Sequence, residues 1–479
     1  MAQIKLVRKV EVVADFQNDA EQAAVINSKG EPLVLFGAPG TGKSTTLIRK
    51  VSKLIKDGVD PNSILVITYG RERASEIRDA IVLQSSATAF EPLVRTFHSL
   101  AFSIINYQLQ PSDPTYVLIS GAEQDSFIKD LLETPTSKSM WPPELQKALT
   151  TRGFAREVRD LILRAQERQL TPLELEQKGL ELNEELWISA AKFWRSYSDS
   201  LSIASGNVIE AKRRVDSSQI ITEAIERLKK SKELTSKLRD QFKYILVDEF
   251  QESDGAQREL LEILRSNELT IFIDGDSAIG AFRGADPEGA LEYLSSKKFK
   301  SITLQNNYRS SKELNLLAAD IASRFKGTAR KRNVESKISD KGIIVEKLSS
   351  AGECASFIAS AFKSAHLKDG VPWSEMAVLL RSPGPSVTAL TRAFALQNIP
   401  VEVDASALAL GENPAIRPLI WITQIVLGQV KLDLGNWNLI SDLLLTPYGG
   451  ADALTMRNMK LAISNSRAEG ESKSSSQII

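Results

Sequence analysis

The string GAPGTGKST, Gly37 to Thr45, constrains this chain more than any other, because it stands between the apolar run LVLF and the helix-patterned TLIRKVSKLI. It fits G-x-x-x-x-G-K-[ST] with a strand before it and a helix after it, the context in which the pattern becomes a phosphate cradle. Gly37, Gly40 and Gly42, with Ala38, Pro39 and Thr41 between them and Thr45 following, let backbone N–H groups converge at a helix N-terminus. Lys43 then reaches the β- and γ-phosphates and the Ser44 hydroxyl ligates Mg²⁺. A nucleoside triphosphate with Mg²⁺ is the expected ligand.

A loop of this kind belongs to an α/β fold, and the rest of the chain agrees. Short Val- and Ile-rich runs, LVLFG (33–37), ILVIT (64–68), YILVDEF (244–250), LTIFID (269–274), then IIVEK, MAVLL and IPVEV, alternate with helical segments. Fully apolar short strands of this type predict a parallel sheet covered on both faces. Between about 107 and 235 the strand signal disappears, and AREVRDLILRAQERQ and SQIITEAIERLKKSKELTSKLRDQF carry apolar residues at helical spacing. The predicted organisation is a first lobe over 1–106 plus 240–320, a helical insertion over 107–239, part of a second α/β lobe over 321–406, and over 407–479 the start of another helical insertion with a polar, Ser-rich, disordered tail.

A phosphate loop needs carboxylates at the end of a neighbouring strand, and YILVDEF supplies Asp248 to hold Mg²⁺ through its waters and Glu249 to polarise an attacking water. Two adjacent acids are costly there unless a cation or a reaction uses them; a solvated acidic loop is the bland alternative. Sixty Lys and Arg balance sixty Asp and Glu, so any basic footprint for nucleic acid must be local. Two histidines, His98 and His366, and the single Cys354 cannot build a structural zinc site. That lone cysteine reads as a small core residue in a reducing compartment, the cytosol. The charged N-terminus and the lack of a charge-free apolar run of about 18 residues predict neither secretion nor membrane insertion.

Seven strings occur in one order: Gln22 in DAEQAAV, GAPGTGKS, ITYGRERASEIR, VRTFHSLA, VDEFQESD, the FRGA of GDSAIGAFRGA, and LQNNYRSS. In this the chain resembles the RecA-like ATPase lobe of superfamily 1A helicases of the UvrD/Rep type, strongly over about 15–320 and less so through AVLLRSPG, LTRAFALQNIPVEV and LGENPAIRPLIWI. The resemblance implies that ATP is the nucleotide, that Gln22 reads the adenine edge, and that Gln251 links the γ-phosphate to the DNA channel. It also implies that Tyr308 stacks on the base and that Arg309 acts as an arginine finger. Single-stranded DNA, or a junction between duplex and single strand, would lie along Thr68, Tyr69, Thr96, Phe97, His98, Phe282 and Arg283, since aromatic faces accept any base while hydroxyls and Arg take phosphates. Plainer roles also exist: Gln22 as a helix-surface residue, NNYRS as a helix cap, His98 as a core or hinge residue.

The chain departs from that family's third motif at Ser277, where a glutamine is expected, and Gly280, where an aromatic is expected. Thr45 replaces a basic residue expected to support adenine. Late second-lobe motifs are expected beyond 479, since QKGLELNEE (177–185) and VTALTRAFALQNIP (387–400) imitate them out of place, with Arg392 a bystander. The chain therefore resembles the N-terminal half of a longer helicase, similar to actinobacterial helicase-nuclease subunits. A 3′ to 5′ helicase or translocase in repair or recombination is the implied function, with a nuclease partner subunit possible. A motor-deficient ATP- and DNA-binding subunit and a P-loop ATPase acting on protein are the rivals.

Overall fold

The computed structural model describes residues 17–85, 94–107, 115–204, 212–324, 334–338, 342–381, 385–402, 416–430, 437–446, 448–452 and 454–459. Its strands are β1 (Leu33–Phe36), β2 (Ile64–Thr68), β3 (Val94–Thr96), β4 (Thr115–Leu118), β5 (Lys212–Val215), β6 (Tyr244–Val247), β7 (Glu268–Ile273) and β8 (Lys300–Thr303), followed by the two-residue pair Asn306–Asn307 and Glu335–Ser336. Six of them form one parallel sheet in the order β3-β2-β6-β7-β1-β8. Residues of β2, β6 and β7, apart from the half-buried Tyr244 and Glu268 at the strand starts, are buried because successive side chains point to opposite, equally covered faces.

On one face Val34, Leu65, Ile67, Ile245 and Ile271 pack under the helices Phe97–Ile105, Ser217–Lys230 and Gly255–Leu264. On the other, Leu33, Leu35, Ile64, Val66, Leu246 and Phe272 pack against Lys43–Lys56 and Arg71–Ser85 through Leu47, Val51, Ile77 and Ile81. Parallel strands put all their carboxyl ends on one edge, so the loops after β1, β2, β3, β6 and β7 gather there.

The span 107–239 is not one packing unit. Its helices between Gly121 and Ala204 share a core of Ile128, Leu132, Val158, Ile162, Phe193 and Tyr197, whereas Ser217–Lys230 and Lys232–Gln241 bury Ile220, Ile225, Leu234 and Leu238 against the sheet. The span is also not purely helical, since β4 and β5 pair in parallel, Tyr116 opposite Arg213. Polar residues in β5 and its short length hid it from a search for apolar runs.

The chain divides into two units, Met1–Ile343 and Ile344–Ile479. In the second, the helices Ala351–Asp369 and Pro385–Leu396 join through Ala355, Ala359, Leu390, Ala393 and Phe394, with the rings of Phe362 and Phe394 stacked at 5.4 Å. The expected strands IIVEK, MAVLL and IPVEV form no ladder among the described residues, and Val345 and Leu379 are 88% and 94% exposed. A parallel strand is held by neighbours on either side, and apolar composition alone does not supply them. Cys354 is exposed, not core: it lies on the outer side of its helix, beside buried Ala355. The helices Arg417–Val426 and Trp437–Leu444 fall in the predicted second insertion, and the Ser-rich tail lies outside the described residues. No helix among the described residues is long and apolar enough to cross a membrane.

Candidate functional site

β1 ends at Phe36, and the loop from Gly37 turns into the helix Lys43–Lys56 at Gly42, whose φ of 91° is left-handed. No side chain caps that helix, so its first N–H groups are left for a ligand. A Cβ at Gly42 would come within 2.6 Å of Gln22 Nε2; without it, Gln22 lies buried on the loop and donates to the Thr41 carbonyl at 3.3 Å. The Thr41 hydroxyl closes the loop on the Ala38 carbonyl at 2.7 Å. Lys43 Nζ donates to the Gly37 carbonyl at 2.9 Å and sits 3.9 Å from Asp274, at the end of β7. Gln22, Ala38, Pro39, Gly40, Gly42, Lys43, Ser44, Thr45, Glu249, Tyr308 and Arg309 all line one cleft of about 560 Å³, while Gly37, Thr41, Asp248 and Gln251 are buried and not part of its lining.

Asp248 extends β6 by donating its N–H to the Ile67 carbonyl at 2.8 Å. Its carboxyl is wholly buried and neither oxygen accepts a hydrogen bond. Burial, reinforced by the charge of Glu249, pushes it up to about 6. A buried carboxyl with no donor fits a cation. Glu249 has φ 50°, a strained conformation for a residue with a side chain, held by the structure around it. Gln251, 1% exposed, donates to Glu249 Oε2 at 2.5 Å and accepts from the Asp274 N–H at 3.0 Å, so it ties the acid pair to β7. Ser277 does not simply drop the missing glutamine's place: it lines the cleft and donates to Asp274 Oδ2 at 2.5 Å.

Beside Gln17, Arg73 and Asp274, which line the cleft, three further contributors escaped the sequence reading. Asn307, 1% exposed, donates to the Pro39 carbonyl at 2.9 Å while its Oδ1 accepts the N–H groups of Arg309 and Ser310, each at 2.9 Å. Tyr308 N–H donates to the Gly40 carbonyl and its hydroxyl to Asp19 Oδ2, both at 2.9 Å. The two together seat Arg309 on the phosphate loop; the doubled Asn before Tyr-Arg was the one available signal. Arg49, one turn beyond Thr45 on the same helix, lines the cleft beside Gln17 and Gln22 and bonds Asn18 Oδ1, so a basic group is present on that side after all.

The third is Glu252. Its carboxylate accepts the N–H groups of Ile279 and Gly280, each at 2.8 Å, and a Cβ at Gly280 would lie 2.3 Å from its Oε2. Gly280 is therefore a point of close approach, where any side chain would have to displace the Glu252 carboxylate. Beyond it Phe282 is 72% exposed with the exposed Arg283 guanidinium 5.0 Å from its ring.

The remaining DNA candidates divide. Thr68 is buried at the end of β2, Tyr69 is half-buried, and Thr96 caps the helix Phe97–Ile105 by accepting the Ser99 N–H at 3.2 Å. His98 is exposed. Phe97 corrects the expectation: at 1% exposure it belongs to the core under the sheet, its ring 5.4 Å from Tyr69. The capped helix starts with its apolar face inward, which turns Phe97 in and His98 out.

Comparison with known proteins finds two domain matches along the chain. Residues 18–299 match the UvrD/REP helicase N-terminal domain and residues 302–408 the UvrD-like helicase C-terminal domain. A probable DNA helicase of Mycoplasma pneumoniae is 29% identical over 387 residues, covering 76% of this chain and 67% of the relative. A probable DNA helicase II homolog of Mycoplasma capricolum subsp. capricolum is 25% identical over 380 residues (78% and 50%), and the ATP-dependent DNA helicase PcrA of Staphylococcus epidermidis 25% over 390 (80% and 50%). The chain thus spans about half the length of most of these relatives. With the domain match covering more than half of its residues and a RecA-like sheet carrying the phosphate loop and the acid pair on one edge, the chain belongs to the UvrD/Rep helicase family.

Proposed function

We propose that the chain hydrolyses ATP and couples the hydrolysis to movement on single-stranded DNA, as a helicase or translocase running 3′ to 5′ from duplex–single-strand junctions in repair or recombination. The observation that carries this reading is the fixed set of groups around one cleft: Lys43 on the phosphate loop, Glu249 strained into the cleft, and Arg309 seated on the loop by Asn307. Lys43 neutralises the β- and γ-phosphates, Glu249 orients the attacking water, and Arg309 meets charge developing on the transferred group. Gln22 reads the adenine edge and Tyr308 stacks on the base. Ser44 and Asp248 would hold Mg²⁺, whose bound charge screens the phosphates. Gln251 and Glu252 lead from the acid pair to the loop that exposes Phe282 and Arg283. In this reading 1–106 and 240–320 form the first motor lobe, with the helices of 217–241 packed into it, 321–406 part of the second, and 407–479 the start of its insertion. The setting is the cytoplasm, with a nuclease-bearing subunit as partner.

Glu249→Gln should keep ATP binding and lower single-strand-stimulated turnover by about a thousandfold. Turnover at the parental rate would remove Glu249 from the mechanism. A second reading, a subunit that binds ATP and DNA without unwinding, is favoured by Gly280 and the inward Phe97, which leave fewer aromatic faces for bases. Strand separation on 3′-tailed but not 5′-tailed duplexes supports the first reading; ATPase without separation supports the second.

A further inference from the structure

Arg73 lies in the first turn of the helix Arg71–Ser85, just past β2, which neighbours β6 in the sheet. Its Nη2 donates to Ser44 Oγ at 2.5 Å, and its Nε stands 3.6 Å from Asp248 Oδ2. Its Nη1 donates to Glu76 Oε2 at 3.0 Å. One planar cation therefore spans the two side chains assigned above to the metal, one in the first turn of the helix Lys43–Lys56 and the other just past β6.

The Asp248 carboxyl is fully buried and accepts no hydrogen bond, so it needs a positive charge nearby at every stage. A guanidinium can supply it before nucleotide arrives, because its fork reaches several acceptors from one stem. The Arg73 side chain is 37% exposed, and Glu76, three residues on along the same helix face, is 66% exposed. The arginine thus has both a route out of the cleft it lines and an anion to turn towards.

We propose that Arg73 is the resident cation of the metal site, holding Ser44 and Asp248 in the free protein and surrendering them to nucleotide-borne Mg²⁺ by turning onto Glu76. The proposal rests on the nucleotide reading above. Mg²⁺ entry becomes an exchange of one cation for another, and the Mg²⁺ requirement is set by how firmly the arginine is held on each side.

The test is a Mg²⁺ titration of the full chain with a fixed concentration of a fluorescent ATP analogue carrying a methylanthraniloyl group. Arg73→Gln removes the competitor, so the half-saturating Mg²⁺ should fall about tenfold, the scale of one close charge pair at a partly exposed site. Arg73→Lys, a point charge unable to span both groups, should fall between the two. Glu76→Ala, on an exposed face where folding is not at stake, removes the carboxylate that already holds one end of the arginine and would keep it once it leaves the site, and should raise the half-saturating Mg²⁺. An unchanged or raised value in Arg73→Gln, or a lowered one in Glu76→Ala, overturns the proposal. Absence of analogue binding by the parent protein at any Mg²⁺ concentration would instead sink the nucleotide reading itself.

Discussion

Two glycine-rich loops leave neighbouring strands of one sheet, β1 and β7, and they are built in opposite ways. The loop after β1 is pinned along its length: Gln22 on the Thr41 carbonyl, Lys43 on Gly37, Asn307 on Pro39, Tyr308 on Gly40. The loop after β7 is pinned at its root, by Ser277 on Asp274 and by Glu252 on the amides of Ile279 and Gly280, and then stands clear, with Ile279 83% and Phe282 72% exposed. A small ligand with fixed charges is best met by donors that do not move. A long polymer that must slide needs faces it can reach and leave. The same glycine content goes with rigidity in one loop and reach in the other; what differs is how much of each loop is held by hydrogen bonds.

The largest effect should come from removing the arginine side chain that stands on the pinned loop. Arg309→Ala is expected to lower ATP turnover by about 10³- to 10⁵-fold with analogue affinity changed far less, the pattern of a group used at the transition state. An equal loss in affinity and turnover would make Arg309 a ground-state contact and weaken the contrast between the loops.

Next comes a pair of phenylalanines that sequence alone treats alike. Phe97→Ala should cost about 3–5 kcal/mol of stability in urea unfolding, as a cavity in a packed core does. Phe282→Ala should leave unfolding unchanged and weaken single-stranded DNA binding by about 1–3 kcal/mol, with little dependence on base sequence. If anisotropy titrations and unfolding curves gave the reverse assignment, the inward and outward placements described here would be wrong.

A last effect concerns a group wedged under the reaching loop. Glu167, at the end of the helix Arg152–Glu167, sits where a Cβ on Gly284 would be 1.7 Å from its Oε2, and burial pushes its carboxyl up to about 8 although Arg164 lies 3.0 Å away. Its ordinary value is 4.5. Between those values the folded protein keeps a proton that the unfolded chain releases, so stability should decline as pH rises from 4.5 to about 8 and level off above. Glu167→Gln should flatten that slope in denaturation midpoints measured across the window. An unaltered slope would mean that the wedge is wetter than its burial implies.

Much of the candidate site was legible in the sequence because it is local. The phosphate loop needs only a strand, a run of glycines, a lysine and a helix in succession, and Asp248 with Glu249 needs only a strand end. The sheet's central strands announced themselves as short apolar runs, since burial on both faces demands it. β5, with Lys212, Arg213 and Arg214 in a four-residue strand, gave no such sign, and IIVEK gave the sign without forming a ladder among the described residues.

Tertiary structure decided what depends on atoms far apart in the chain. Arg73 reaches Ser44 across 29 positions, and Asn307 reaches the Pro39 carbonyl across 268. Whether Phe97 faced DNA or the core was fixed by which side of its helix the sheet covers, a choice that one turn of helix cannot encode by itself. Gly280 looked like a lost aromatic until Glu252 filled the space a Cβ would need. Covalent sequence sets what each residue is able to do; packing sets its neighbours, and neighbours determine whether a cation is free, a ring is exposed or a carboxyl keeps its proton.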